Sequence, residues 1–233
     1  MDVFAFLVGG ILPYLTVLIF IVGMGYRFYV WLKTPQPGKM TLFPAPDSAA
    51  GGVLAEILFF PSLFKGDKTL WSFSWFFHVT LALVFLGHIR VFSSFVDEIL
   101  LALGMSPEGI DTMSATAGGV AGIILFVTGV LLLLRRVTVQ RVREISGIPD
   151  FFALLLLIAI ICTGDLMRFG AHFDLEQTRI WAKSLSTFSP VVPQNSIFLV
   201  HALMAMLLII YIPFSKIMHL GGIFFTQTLV RRR

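Results

Sequence analysis

Five apolar runs, each near or above the roughly 20 residues that cross a hydrocarbon core, dominate this 233-residue chain. Val3 to Tyr26 and Thr112 to Leu134 carry no charge, and Leu70 to Phe95 carries only Arg90. Phe151 to Phe169 holds Asp165 and Arg168 towards its end, and Ile197 to Met218 holds Lys216. In lipid a segment must satisfy its own backbone polar groups, so such runs fold as helices or not at all. The expectation is an all-α membrane protein. It is one domain over 1–233, with five transmembrane helices near 3–26, 70–95, 112–134, 151–169 and 197–218. Composition agrees: 13% of residues are charged, against about 25% in an ordinary soluble domain.

The connections alternate in charge. Arg27, Lys33, Lys39, Lys65 and Lys68 lie between the first two runs, and Arg135, Arg136, Arg141 and Arg143 follow the third. Asp97, Glu98, Glu108 and Asp111 lie on the other side, after the second run, and Arg231, Arg232 and Arg233 close the chain. Basic loops face the cytoplasm, which puts the N-terminus outside and the C-terminus cytoplasmic. The net charge of +4 is therefore assigned to the lipid surface and not to nucleic acid. The first run is too long for a signal peptide and lacks a basic region before it. Cys162 is the single cysteine, so no internal disulfide or CxxC motif exists. The stretch from Gly51 to Phe60 is too short to span and reads as an interfacial helix or a docking element.

Histidine is costly in hydrocarbon unless its nitrogens are engaged. Of five histidines, His78 and His88 fall in the second run, His201 and His219 in or at the end of the fifth, and His172 in the fourth connection. The two runs are antiparallel, which levels His78 with His219 on the inner side and His88 with His201 on the outer side. As ideal helices, the first two histidines are about 15 Å apart and the second two about 27 Å. The mismatch demands tilt, slanted pairs or a bend at Pro213. On a helical wheel His201 and His219 share a face, whereas His78 and His88 lie on adjoining faces.

A b haem fits between two imidazoles on facing helices in lipid, one nitrogen on each side of the iron. Small residues flank the histidines: Ser74, Ala82, Gly87, Ala205 and Ser215. Arg90 outside, with Lys216 and Arg27 inside, are candidate propionate partners, although snorkelling explains such residues equally well. A histidine-lined metal or proton transporter is the competing reading. Its expected mid-membrane carboxylates are absent from the histidine-bearing runs, and Asp165 can pair with Arg168 on its own helix. A non-redox membrane anchor is the third class. Cys162, Met204 and Met206 read as packing.

The pattern resembles the gamma subunit of respiratory nitrate reductase, in its five-span length and in the spacing of its four histidines. Pro213-Phe214-Ser215-Lys216-Ile-Met-His219, Gly87-His88 and Trp181-Ala-Lys-Ser-Leu-Ser-Thr-Phe188 are similar to that family's motifs. Gly164-Asp-Leu-Met-Arg-Phe169, Phe188-Ser-Pro-Val-Val-Pro193 and His219-Leu-Gly-Gly222 resemble the cytochrome b subunits of sulfate-reducer (DsrM-type and TmcC-type) redox complexes. The resemblance implies two b haems, an inner one on His78 and His219 and an outer one on His88 and His201. It also implies menaquinol or menaquinone as the electron pool and a cytoplasmic iron–sulfur subunit similar to heterodisulfide reductase. An outer multihaem cytochrome c and further membrane subunits are additional partners in such complexes. Gly87, Asp165 and Arg168, with His88 and Arg90, are the candidate quinone site near the outer interface.

Overall fold

The computed structural model describes residues 2–34, 49–170, 174–219 and 221–222. The readings that fall on Lys39, His172 and Arg231 to Arg233 lie outside them. Five helices are long and apolar enough to cross a membrane: Val3–Lys33, Lys68–Phe92, Pro107–Thr138, Ile148–Phe169 and Ser196–Phe214. They are called the first to fifth spans below. No strand occurs among the described residues, and the chain is a multi-pass membrane protein.

The ends of the spans depart from the apolar runs because caps set them, not hydropathy. The second span starts where the Asp67 carboxylate accepts the Leu70 N–H at 2.8 Å. It stops at Phe92, not Phe95, because Ser93 is extended (φ −151°, ψ 140°). Phe95 instead opens a short helix, Phe95–Ala102. The third span begins at Pro107, five residues before the apolar run, with the Ser106 hydroxyl accepting the Gly109 N–H at 3.1 Å. The largest departure is in the fifth span. Its α-helix ends at Tyr211 and gives way to 3-10 turns at Ile212–Phe214 and Lys216–Met218. Pro213 has no N–H to donate and its ring clashes with the preceding turn, so it ends the helix where the sequence suggested only a bend.

Ion pairs and close contacts fix the order of the spans. Arg135 meets Asp67 at 2.5 Å and Arg90 meets Asp111 at 2.9 Å, which ties the second and third spans antiparallel. Lys216 meets Asp150 at 2.8 Å, doing the same for the fourth and fifth. Arg27 donates from Nε to the Pro213 carbonyl at 2.7 Å, and Gly9 lies against Val192, so the first and fifth run the same way. All the described basic connections therefore gather at one end, here the basic end, and Asp97, Glu98 and Asp111 at the other, the acidic end. The second span packs on the third, the third on the fourth, the fourth on the fifth and the fifth on the first. Among the described residues no extensive packed interface joins the second span to the fifth.

Two apolar clusters hold this arc. Phe77, Leu125 and Ile161 knit the second, third and fourth spans. Ala5, Val8, Met167, Trp181, Val192, Phe198, Leu199, Ala202 and Met206 join the first, fourth and fifth spans to the helix Leu175–Ser186. Much of what remains apolar points outward, as at Val17, Leu18, Ile21 and Val22, which is what lipid-facing helices require.

At Gly9 the second cluster leaves no room for a side chain. A Cβ there would overlap a Val192 methyl carbon, and the Gly9 carbonyl accepts the Trp181 indole N–H at 2.7 Å. Gly9→Ala is expected to destabilise the protein by about 1–3 kcal/mol, the usual cost of overpacking. A lower denaturation midpoint in detergent, followed by loss of helical circular dichroism, checks it.

The stretch from Gly51 to Phe60 is helical over Ala49–Phe59 and is strapped to the second span. Trp71 and Trp75 donate their indole N–H groups to the Phe59 and Leu58 carbonyls at 2.7 and 2.9 Å. Phe60 turns the chain with φ +49° and sets its ring edge-on to His78, with centroids 5.3 Å apart.

Candidate functional site

The four membrane histidines face one another across the open side of the arc, between the second and fifth spans. At the basic end the His78 and His219 rings have centroids 6.0 Å apart, with planes at 83°. At the acidic end the His88 and His201 centroids are 6.3 Å apart, with planes at 12°. These are the pairs that the antiparallel order dictates. The length mismatch disappears because the fifth span unwinds after Tyr211, so His219 does not sit on the wheel that carries His201.

Each imidazole has one nitrogen committed. His78 Nδ1 donates to the Ser74 carbonyl at 2.7 Å, His88 Nδ1 to Val84 at 2.7 Å, and His219 Nδ1 to Lys216 at 3.0 Å. His201 Nδ1 donates to the Ile160 carbonyl at 3.1 Å and lies 2.9 Å from Thr163 Oγ1. A proton on Nδ1 leaves a lone pair on Nε2, and among the described residues nothing binds that nitrogen. This is the arrangement of metal-bound histidine, in which the second nitrogen fixes tautomer and orientation.

The spacing also suits a bridging metal. Metal–nitrogen bonds of about 2.0 Å on both sides, plus roughly 1 Å from each nitrogen to its ring centre, separate two centroids by about 6 Å. Space for a flat group is consistent with the lack of an extensive interface between the second and fifth spans among the described residues and with the exposure of His88 and Gly87. A Cβ on Gly87 would meet nothing within 4 Å. The residues present thus fit a bis-histidine haem at each pair.

The other candidate residues are placed as follows. Arg90 is 7% exposed and is occupied by carboxylates: its Nε meets Asp97 at 2.6 Å and its Nη2 meets Asp111 at 2.9 Å. Arg179, from the helix Leu175–Ser186, joins them, reaching Asp97 at 2.6 Å and the Arg90 carbonyl at 2.8 Å. Lys216 is tied to Asp150, and Arg27 to the Pro213 carbonyl. These bonds engage all three basic side chains, with Lys216 still largely exposed. Asp165 and Arg168 make no ion pair with each other among the described contacts. Both lie against the glycine face of the third span instead, Asp165 at Gly122 and Arg168 at Gly118. Met206 is buried in the core, and Cys162 is a half-buried free thiol.

Thr163 and Arg179 belong to the site and carried no signal in the sequence. Threonine is ordinary in an apolar helix, and Arg179 sits in a connection of mixed charge. Their partners are 38 and 82 residues away.

Comparison with known proteins gives a consistent picture. The family model described as the nitrate reductase gamma subunit matches residues 61–232. An "Hdr-like menaquinol oxidoreductase cytochrome b-like subunit" of Archaeoglobus fulgidus is 34% identical, over 94% of this chain and 78% of that protein. A protein of the same description from Archaeoglobus profundus is 28% identical, over 93% and 76%. The respiratory nitrate reductase 1 gamma chain of Escherichia coli is 31% identical, over 63% and 69%.

Proposed function

The chain belongs to the nitrate reductase gamma subunit family, and from that premise we propose that it is the dihaem cytochrome b subunit of a respiratory membrane complex. It carries electrons between the menaquinone pool and a cytoplasmic iron–sulfur subunit similar to heterodisulfide reductase. The observation that carries this reading is the pair of facing imidazole pairs, at opposite ends of two spans that leave a gap between them.

His78 and His219 hold the inner haem b and His88 and His201 the outer one. Bound there, the haems supply one-electron carriers that divide a two-electron quinol couple into single transfers. The acidic end faces outward and the basic end faces the cytoplasm of a prokaryotic cell. Menaquinol docks beside the outer pair, where Gly87 leaves space and Asp165 and Arg168 offer groups to bind a quinone oxygen and take its proton. Arg135, Arg136, Arg141 and Arg143 at the basic end receive the soluble partner. In a sulfate-reducer complex an outer multihaem cytochrome c and other membrane subunits complete the assembly.

The transporter reading is weaker on the donor set. Among the described residues no group of three or more His, Cys, Asp or Glu converges, whereas zinc sites recruit four ligands or three and a water. The deciding experiment is a reduced-minus-oxidised spectrum with a pyridine haemochrome count on the purified chain. Two b haems per chain are expected. A chain without haem that binds divalent metal tightly would overturn the proposal.

A further inference from the structure

One of the four histidines is held differently from the rest. His78, His88 and His219 each donate Nδ1–H to a carbonyl three or four residues back in their own segment. Those bonds travel with the histidine and report nothing about neighbouring helices. His201 reaches across to the fourth span, where it meets two acceptors, the Ile160 carbonyl at 3.1 Å and Thr163 Oγ1 at 2.9 Å.

The direction of the Thr163 bond follows from its other contacts. The hydroxyl's single hydrogen is directed at carbonyls of its own helix, Ile160 at 2.9 Å and Ala159 at 3.1 Å. It therefore presents a lone pair to His201. The imidazole also lies flush with that turn, since a Cβ on Gly164 would be 3.4 Å from His201 Cε1. Ring orientation and proton position are thus set by the fourth span, the helix that two residues later carries Asp165.

Resting on the dihaem reading, we propose that Thr163 is a positioning residue that sets the donor strength of His201 and so tunes the outer haem independently of the inner one. An acceptor on Nδ1–H makes the imidazole more electron-rich and favours the ferric state of an iron bound at Nε2. The inner pair has no equivalent cross-helix acceptor among the described residues. The outer site is consequently the one whose affinity for an electron follows movement of the fourth span.

The test is a redox titration of purified Thr163→Val and Thr163→Ser chains, read by optical and electron paramagnetic resonance spectra. Both are made also in a His78→Ala background, where only the outer pair can hold haem. Thr163→Val keeps the shape and removes the nearer of the two acceptors, leaving the Ile160 carbonyl on the same Nδ1–H. It is expected to retain both haems and to raise the outer midpoint potential, lowering its ferric-over-ferrous preference by up to about tenfold, about 59 mV for one electron. The inner midpoint stays fixed and Thr163→Ser restores the outer one. A two-haem Thr163→Val chain with both midpoints unmoved, or both moved together, overturns the inference. A parent chain with no haem overturns the dihaem reading instead.

Discussion

His88→Ala and His201→Ala are each expected to lose one haem of two, and the same one. His78→Ala and His219→Ala are expected to lose the other. On the proposed dihaem reading the pairing is specific, because each iron would need both imidazoles of a facing pair and the pairs are separated along the spans. Double variants then discriminate sharply. Removing both His88 and His201 costs no more haem than removing either, since the second loss falls on a site already empty. Removing His88 and His78 together empties both sites. This non-additivity is what shared partners impose. Haemochrome counts on the four single and two double variants check it, and a pattern that groups His78 with His88 would refute the pairing.

The second large effect is structural and lies at the acidic end. Asp97 links Arg90 on the second span to Arg179 on the helix Leu175–Ser186. Its side chain is 16% exposed and that of Arg90 is 9% exposed, with Asp111 the only other carboxylate on Arg90 among the described residues. Asp97→Ala leaves two guanidinium groups with too few counter-charges in a poorly solvated place. Removing one partner of a buried pair costs about 3–5 kcal/mol. A denaturation midpoint in detergent measures the loss, and Asp97→Asn, which keeps hydrogen-bonding capacity, falls between.

The same residue gives a pH dependence. Burial favours the neutral carboxyl, but Arg90 and Arg179 outweigh it and hold the Asp97 pKa below its ordinary 3.8. A carboxylate with a depressed folded pKa stabilises the fold fully above the unfolded value, and that stability drains as pH falls through the folded one. The parent protein should therefore lose stability below about pH 3.8 more steeply than Asp97→Ala. Equal slopes would remove Asp97 from the account.

Much of this molecule is legible in its sequence, because the strongest signals are local. Charge-free length reveals a span whatever packs around it, and histidines on runs that cross in opposite directions must meet in a fixed order. The family resemblance carried by Gly87-His88 and by Pro213 to His219 is local in the same way. The missed features depend on partners distant in the chain. Arg90 reads as a free cation near an interface until Asp97, Asp111 and Arg179 are folded around it. Asp165 and Arg168 read as an intrahelical pair until the glycines of the third span approach. Thr163 reads as nothing until His201 arrives. Pro213 is intermediate: its effect is local, but whether a proline bends or ends a helix depends on what the neighbours supply.

The ring planes at the two ends carry a consequence of their own. Near-parallel imidazoles push π-electron density onto an iron along a single axis, which separates its d orbitals strongly. Crossed imidazoles push along two perpendicular axes and leave those orbitals nearly degenerate. With planes 12° apart at His88 and His201 and 83° apart at His78 and His219, the outer centre would be rhombic and the inner one close to axial. The two ends of a single electron path would then differ in their magnetism, so that each could be followed in the unaltered protein without a label.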